Sequence, residues 1–269
     1  MQPIYILEYH LAHGCNLSCQ QCSHYSNIKL QGVLPSIDDA KKEYQAWSNR
    51  LRPYIFALLG GEPTLNPHLI DHIYLAREYW PNSNLLLVSN GFFLKRHPEL
   101  PSALMKNRCF LEISQHGTTE NYLKEFEACL ETLKKWRSDY PFLPVKIRMS
   151  HESWMRQYKI ENGKPFPFSS DPKKAYSICM QKNCTQLYNK KLWKCPAVAY
   201  FKLMEKKMNI NNLKEWQLFR DYLACDSGCN EEELKKFLGK KEIPQCSLCP
   251  SEKEKFVHPD PTHPDLTLK

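Results

Sequence analysis

The chain has no segment that reads as a membrane or export signal. Its opening, Met1-Gln2-Pro3-Ile4-Tyr5-Ile6-Leu7-Glu8, has no basic stretch ahead of a short apolar run, so it is not a signal peptide. Nowhere do apolar residues run long enough to cross a bilayer, which excludes a membrane-spanning role. No internal repeat is visible. The lysines are scattered and form no single stripe, so the formal charge of +8 indicates no clear nucleic-acid partner. Metal-bound thiolates would offset much of that charge. Without a secretion signal, the 12 cysteines read as metal ligands in a reducing, cytoplasmic compartment rather than as disulfides.

At 269 residues the chain can bury one large domain and a small one. Its first half alternates two patterns. Short apolar runs predict strands at Ile4 to Leu11, Tyr54 to Leu59, Leu85 to Val88, Cys109 to Ser114 and Val145 to Met149. Between them, helical spacing predicts helices from Ser36, as N-cap, to about Leu51, then over Leu69 to Trp80, Pro98 to Lys106 and Thr119 to Trp136. Repeated strand–helix units mean parallel strands with helical crossovers, an α/β fold. From Ser153 to Lys174 four prolines and glycines leave no helix or strand signal, and a linker or covering loop is expected. Beyond it, Leu187 to Trp193 reads as a hairpin turning at Asn189-Lys190, and Lys214 to Leu223 and Glu231 to Leu238 read as helices. The tail from Phe256 carries Pro259, Pro261 and Pro264 and is expected to be loosely ordered.

The chemistry concentrates in Cys15-Asn16-Leu17-Ser18-Cys19-Gln20-Gln21-Cys22. A chain leaving a strand there can turn three thiols toward one centre. Three thiolates on a four-iron cluster leave one iron open for a substrate or cofactor. A structural cysteine cluster or zinc knuckle is the alternative on the residues alone. Gly60-Gly61-Glu62-Pro63 ends the second strand, where parallel sheets and barrels bind ligands. Ser89-Asn90-Gly91 and Ser114-Gln115-His116-Gly117 end the third and fourth. Each also suits an ordinary turn or helix cap. Arg148 could pair with a carboxylate or serve an ion pair.

In these motifs the chain resembles the radical S-adenosylmethionine (AdoMet) enzymes. The C-x-x-x-C-x-x-C run matches the motif that ligates their reactive cluster through Cys15, Cys19 and Cys22. The resemblance implies a partial (β/α) TIM-like barrel of five to six units over residues 1–152. It implies that Gly60, Gly61 and Glu62 bind the AdoMet ammonium, and that Ser89, Asn90, Ser114 and Arg148 contact its ribose or carboxylate. A sixth strand is missing or hidden in the proline-rich stretch. Two departures stand out. His116 replaces an aspartate usual in the family, and Gln21 replaces an aromatic residue usual before the third cysteine. His24 and Tyr25 could substitute for the lost ring.

A second cysteine set follows a linker over 153–178. Cys195, Cys246 and Cys249, with Cys179 or Cys184, supply four thiolates, which suit a closed four-iron cluster or a zinc ribbon. This resembles the shortened auxiliary-cluster ("twitch") domain of some radical AdoMet enzymes, placed at residues 179–255, with 256–269 as a tail. Cys225 and Cys229 could add ligands. Cys109 and Cys129 fit as buried small hydrophobes.

The family resemblance implies an enzyme of oxidoreductase or lyase type. It would cleave AdoMet reductively at a [4Fe-4S] cluster, and the resulting 5′-deoxyadenosyl radical would take hydrogen from a substrate. A flavodoxin- or ferredoxin-like protein would supply the electron. The expected substrate is a small sugar- or cyclitol-like molecule. Alternatives are modification of a ribosomal peptide, for which no leader-binding extension is visible, and a non-catalytic zinc or iron–sulfur protein.

Overall fold

The structure is a computed structural model and describes residues 1–28, 34–256 and 259–262. Five strands run parallel: β1 (Gln2–Ala12), β2 (Leu51–Gly60), β3 (Asn84–Ser89), β4 (Cys109–Gln115) and β5 (Val145–Met149). Helices α1 (Ile37–Trp47), α2 (Leu69–Tyr79), α3 (Leu100–Lys106) and α4 (Glu120–Asp139) make the crossovers. This is the α/β partial barrel that the sequence predicts.

Local sequence sets the boundaries. Ser36 caps α1 in a reciprocal box with Asp39, and Thr119 caps α4. Helix α1 stops at Trp47 rather than near Leu51. Pro53 disfavours the helical region for Arg52, and Leu51, 1% exposed, is needed in β2 opposite Gln2.

The sixth parallel strand does not come from the proline-rich stretch. It is Cys184–Tyr188, which pairs parallel to β1 on the side away from β2. The proline-rich stretch is not structureless either. It forms a small ribbon of β6 (Lys159–Glu161) and β7 (Lys164–Phe166), joined by Asn162-Gly163 with φ of 51° and 73°. Asn-Gly is a strong hairpin signal, and Pro165 is tolerated because a two-stranded ribbon is all edge. Asp171 then caps α5 (Pro172–Ile178), with proline in the first turn.

The new parallel strand is β8, and it folds back antiparallel as β9 (Lys191–Trp193) through Asn189-Lys190, the predicted turn. Asn189 and Lys190 both have positive φ. A short β10 (Cys225–Asp226) completes an eight-stranded sheet in the order β10-β9-β8-β1-β2-β3-β4-β5. Two helices without a recognised sequence signal, α6 (Pro196–Ala199) and α7 (Phe201–Met208), follow β9. The expected 214–223 helix is a 3-10 turn running into α8 (Gln217–Arg220), and α9 (Glu231–Gly239) matches its prediction. Among the described residues no helix is long and apolar enough to cross a membrane.

The tail expectation is corrected in part. Pro261 accepts a hydrogen bond from the Ser18 N–H at 2.8 Å, and Thr262 bridges Leu17, so this piece is packed against the first cysteine loop. Residues 257–258 and 263–269 lie outside the described residues.

One buried cluster lies between the sheet and α1 to α4, and a second gathers Tyr25, Tyr200, Phe201 and Trp216 beside the C-terminal cysteines. Helix α1 clamps the β8–β9 turn: the Trp47 Nε1–H donates to the Lys190 carbonyl at 2.9 Å, and the Lys190 N–H donates to Glu43 at 2.6 Å. Trp47 is fully buried, so Trp47→Ala should cost about 3–5 kcal/mol in denaturant titration. A loss below about 1 kcal/mol would mean that the clamp is dispensable.

Candidate active site

The carboxyl ends of β1 to β5 open on one cavity of about 380 Å³. Cys15, Cys19 and Cys22, from the loop after β1, all stand on its wall. Backbone hydrogen bonds tie the start of that loop to the end of β2. The Gly61 N–H donates to the Ala12 carbonyl at 2.8 Å, and the Glu62 N–H donates to the Gly14 carbonyl at 2.9 Å. The approach is too close for a side chain. A Cβ on Gly60 would lie 2.2 Å from the Ala12 oxygen, and one on Gly61 would lie 2.0 Å from the Gly14 oxygen. The φ of 150° at Gly60 also favours glycine.

Gly60, Gly61, Ser89, Asn90, Ser114 and Arg148 line the same cavity. Glu62 stands behind the wall, fully buried. Its carboxylate accepts from the Thr64 N–H and hydroxyl, from Ser89 Oγ at 2.7 Å and from the Asn90 N–H at 2.7 Å. Burial pushes the Glu62 carboxyl up, and these four donors oppose the shift. Glu62 thus ties β2 to the end of β3. Asn90 extends the tie, since its Nδ2 donates to Asn16 Oδ1 at 2.7 Å inside the cysteine loop. On the far wall Arg148 donates to Glu112 at 2.6 Å and to Ser114 Oγ at 3.0 Å, and Lys146 also pairs with Glu112. Burial raises the Glu112 carboxyl, but these two cations hold it below its ordinary range.

Glu8 and Ser26 on the wall carried no sequence signal, while Gln21, His24 and His116 stood out in the sequence and take roles that spacing alone does not give. Gln21 has φ of 59°, and its Oε1 accepts from the Gln157 and Tyr158 N–H groups at 2.8 and 3.1 Å. It stitches the cysteine loop to the Met155–Gln157 segment, which lines the same cavity. Glu8, on β1, faces inward because strand residues alternate. It accepts from Gln186 of β8 and lies 3.7 Å from His24. Burial opposes charge on both, yet the pairing holds Glu8 below its ordinary value, and His24, also bonded to Cys22, is held up to about 9. Ser26 Oγ is buried on the wall, with no hydrogen-bond partner among the described residues. His116 gives its N–H to the Tyr122 hydroxyl at 2.8 Å, and its ring lies against Trp154.

The C-terminal thiols sort themselves. Cys179, Cys195, Cys246 and Cys249 line a second, mostly apolar cavity of about 60 Å³. Cys184 does not line it. It starts β8 and stands on the wall of the first cavity beside Glu8. Cys109 and Cys129 are buried in the main core.

The residues fit iron–sulfur groups at both places. Burial pushes Cys15, Cys19, Cys195 and Cys249 up as free thiols, an expense that a bound cationic centre reverses by taking the thiolates. Cys22 is already drawn below its usual value by His24 against the effect of burial. Among the described residues no three or more Cys, His, Asp or Glu side chains converge on a point for a single metal ion.

Fold and site together define a partial (β/α) barrel with a three-thiol loop at its mouth. In sequence, residues 9–138 match the family model described as Radical SAM superfamily. The family implies a [4Fe-4S] cluster and AdoMet binding. A solved structure of low identity is similar in fold. BtrN in complex with AdoMet and 2-DOIA is similar at a TM-score of 0.50 and 14% identity, over 96% of this chain and 100% of that one. Native anSMEcpe with bound AdoMet is similar at a TM-score of 0.42 and 20% identity, over 54% of this chain and 43% of that one. No curated protein matches the sequence.

Gly61→Ala is expected to part the two loops. The Cys19 thiol of the apo-protein, now 6% exposed, should then label faster while helix content holds. Unchanged labelling would show that the backbone contact does not position the thiols.

Proposed function

We propose that the chain is a radical AdoMet enzyme acting on a small polar molecule, with its reactive cluster on Cys15, Cys19 and Cys22 and a second cluster on Cys179, Cys195, Cys246 and Cys249. The observation that carries this reading is the three-thiol loop, which shares one cavity with the residues expected to bind AdoMet. The bound groups would supply one-electron cleavage of a sulfonium and hydrogen-atom abstraction from the substrate.

The chain's own residues prepare the space. Gly60 and Gly61 let backbone approach the ligand without side chains in the way. Glu62 and Asn90 fix the loop ends through their hydrogen bonds. Arg148 and Ser114 present a cation and a hydroxyl to a carboxylate or ribose on the far wall. The Met155–Gln157 segment, held by Gln21, adds a further side to the cavity.

A small substrate is supported by the volume. About 380 Å³ sits at the lower end of small-molecule pockets, and AdoMet must share it. A polar substrate is supported by Glu8, Ser26, Glu112 and Arg148, which all line the cavity. Hydroxyl-rich sugars or cyclitols fit that surface. An oxidation or a remodelling would both begin with the same abstraction. A flavodoxin- or ferredoxin-like reductant completes the reading.

Cys19→Ala should abolish 5′-deoxyadenosine formation from AdoMet and reductant, measured on anaerobically reconstituted protein. Product at the wild-type rate would remove the first loop as the reactive site. Cys246→Ala should lose about half the bound iron, whereas Cys184→Ala should keep all of it. Iron lost on Cys184→Ala and kept on Cys179→Ala would reverse the assignment of the fourth ligand.

A further inference from the structure

Cys225 and Cys229 line neither thiol cavity, and the chemistry above makes no use of them. Their sulfurs nevertheless stand 3.4 Å apart. We propose that this pair is a redox-modified dithiol, which a small-molecule disulfide such as oxidised glutathione converts to an intramolecular disulfide.

The surrounding chain holds the two sulfurs together. Cys225 lies on β10, paired with Leu192 of β9. The loop then turns sharply: the Cys229 N–H donates to the Asp226 carbonyl at 3.1 Å, and the Gly228 N–H donates to Asp226 Oδ1 at 3.0 Å. Arg50, at the foot of β2, grips the loop from below. Its guanidinium donates to the Ser227 and Cys229 carbonyls at 2.6 and 2.7 Å and pairs with Glu231. A disulfide needs the sulfurs to close from 3.4 Å to about 2.0 Å, a matter of side-chain rotation at this separation.

The two thiols are unequal. Cys225 is buried, and burial with the neighbouring Cys229 thiol pushes it up to about 12. Cys229 is the more accessible. The sequence of steps follows. The Cys229 sulfur, giving up its proton, attacks one sulfur of oxidised glutathione; the glutathione S–S bond breaks, and one glutathione leaves as thiol. The Cys225 sulfur then attacks the Cys229 side of the mixed disulfide, and the second glutathione leaves with the Cys225 proton. Two protein thiols lose two electrons, and one glutathione disulfide becomes two thiols. The product ties off the outer edge of the sheet beside β9, whose chain continues into Cys195.

The test uses the reconstituted holoprotein under anaerobic conditions, treated with oxidised glutathione and then alkylated after denaturation. The tryptic peptide from Asp221 to Lys235 contains Cys225 and Cys229 and no other cysteine. It should escape alkylation and be about 2 Da lighter than the reduced peptide, and dithiothreitol should restore both labels. In Cys225→Ser the glutathione should remain trapped on Cys229. The double variant Cys225→Ser/Cys229→Ser should bind as much iron as the wild type. Full alkylation of both cysteines after oxidation would overturn the proposal. Iron lost from the double variant would also overturn it, by making the pair cluster ligands. If either variant fails to fold, peptide mapping of the wild type decides alone.

Discussion

The backbone contact between the loop after β1 and the end of β2 places every other group of the site. Ala12 and Gly14 offer carbonyls, Gly61 and Glu62 offer N–H groups, and the separation leaves no room for a Cβ at Gly60 or Gly61. Two hydrogen bonds of ordinary strength would not fix a loop by themselves. What fixes it is that Glu62, drawn in by that contact, is buried and holds four donors from two further segments. A buried carboxylate with all its partners is stable, and one that loses a partner is not. The thiol loop, the glycine turn and the end of β3 therefore form one unit.

A second consequence is the division of labour among polar residues at the mouth. Ser89 and Asn90 use their side chains on Glu62 and Asn16, so they shape the cavity from within its wall. Arg148 and Ser114 share the opposite wall with Glu112. Glu8 and His24 form a buried pair next to Cys22, deep in the cavity, linked through Gln186 to Tyr200 of the second core. Strand β8 lies between the two thiol cavities along the chain. Cys184 opens that strand on the first cavity, while Cys179 and Cys195, on either side of it in sequence, border the second.

Much of this was legible in the residues. The alternation of apolar runs with helical spacing located β1 to β5 and α1 to α4, because parallel strands are buried on both faces and helices carry one apolar stripe. The cysteine spacing and the Gly-Gly-Glu-Pro turn located the mouth. What escaped depends on contacts distant in sequence. The sixth strand is short and polar at Cys184, Thr185 and Gln186, and its pairing with β1 and β9 makes it a strand. Asn162-Gly163 was a readable hairpin signal, obscured by the prolines around it. Spacing leaves Cys179 and Cys184 equivalent, whereas the fold puts Cys184 on the wall of the first cavity and Cys179 on that of the second. The role of Gln21 rests on two N–H groups more than a hundred residues away.

The central claim is an iron site with three protein thiols and a fourth position for AdoMet. The most direct measurement is electron paramagnetic resonance of the reduced Cys246→Ala protein, which isolates the first cluster, recorded with and without AdoMet. The account predicts a [4Fe-4S] signal whose shape changes when AdoMet is added. An identical spectrum in both samples, or no iron–sulfur signal, would contradict it.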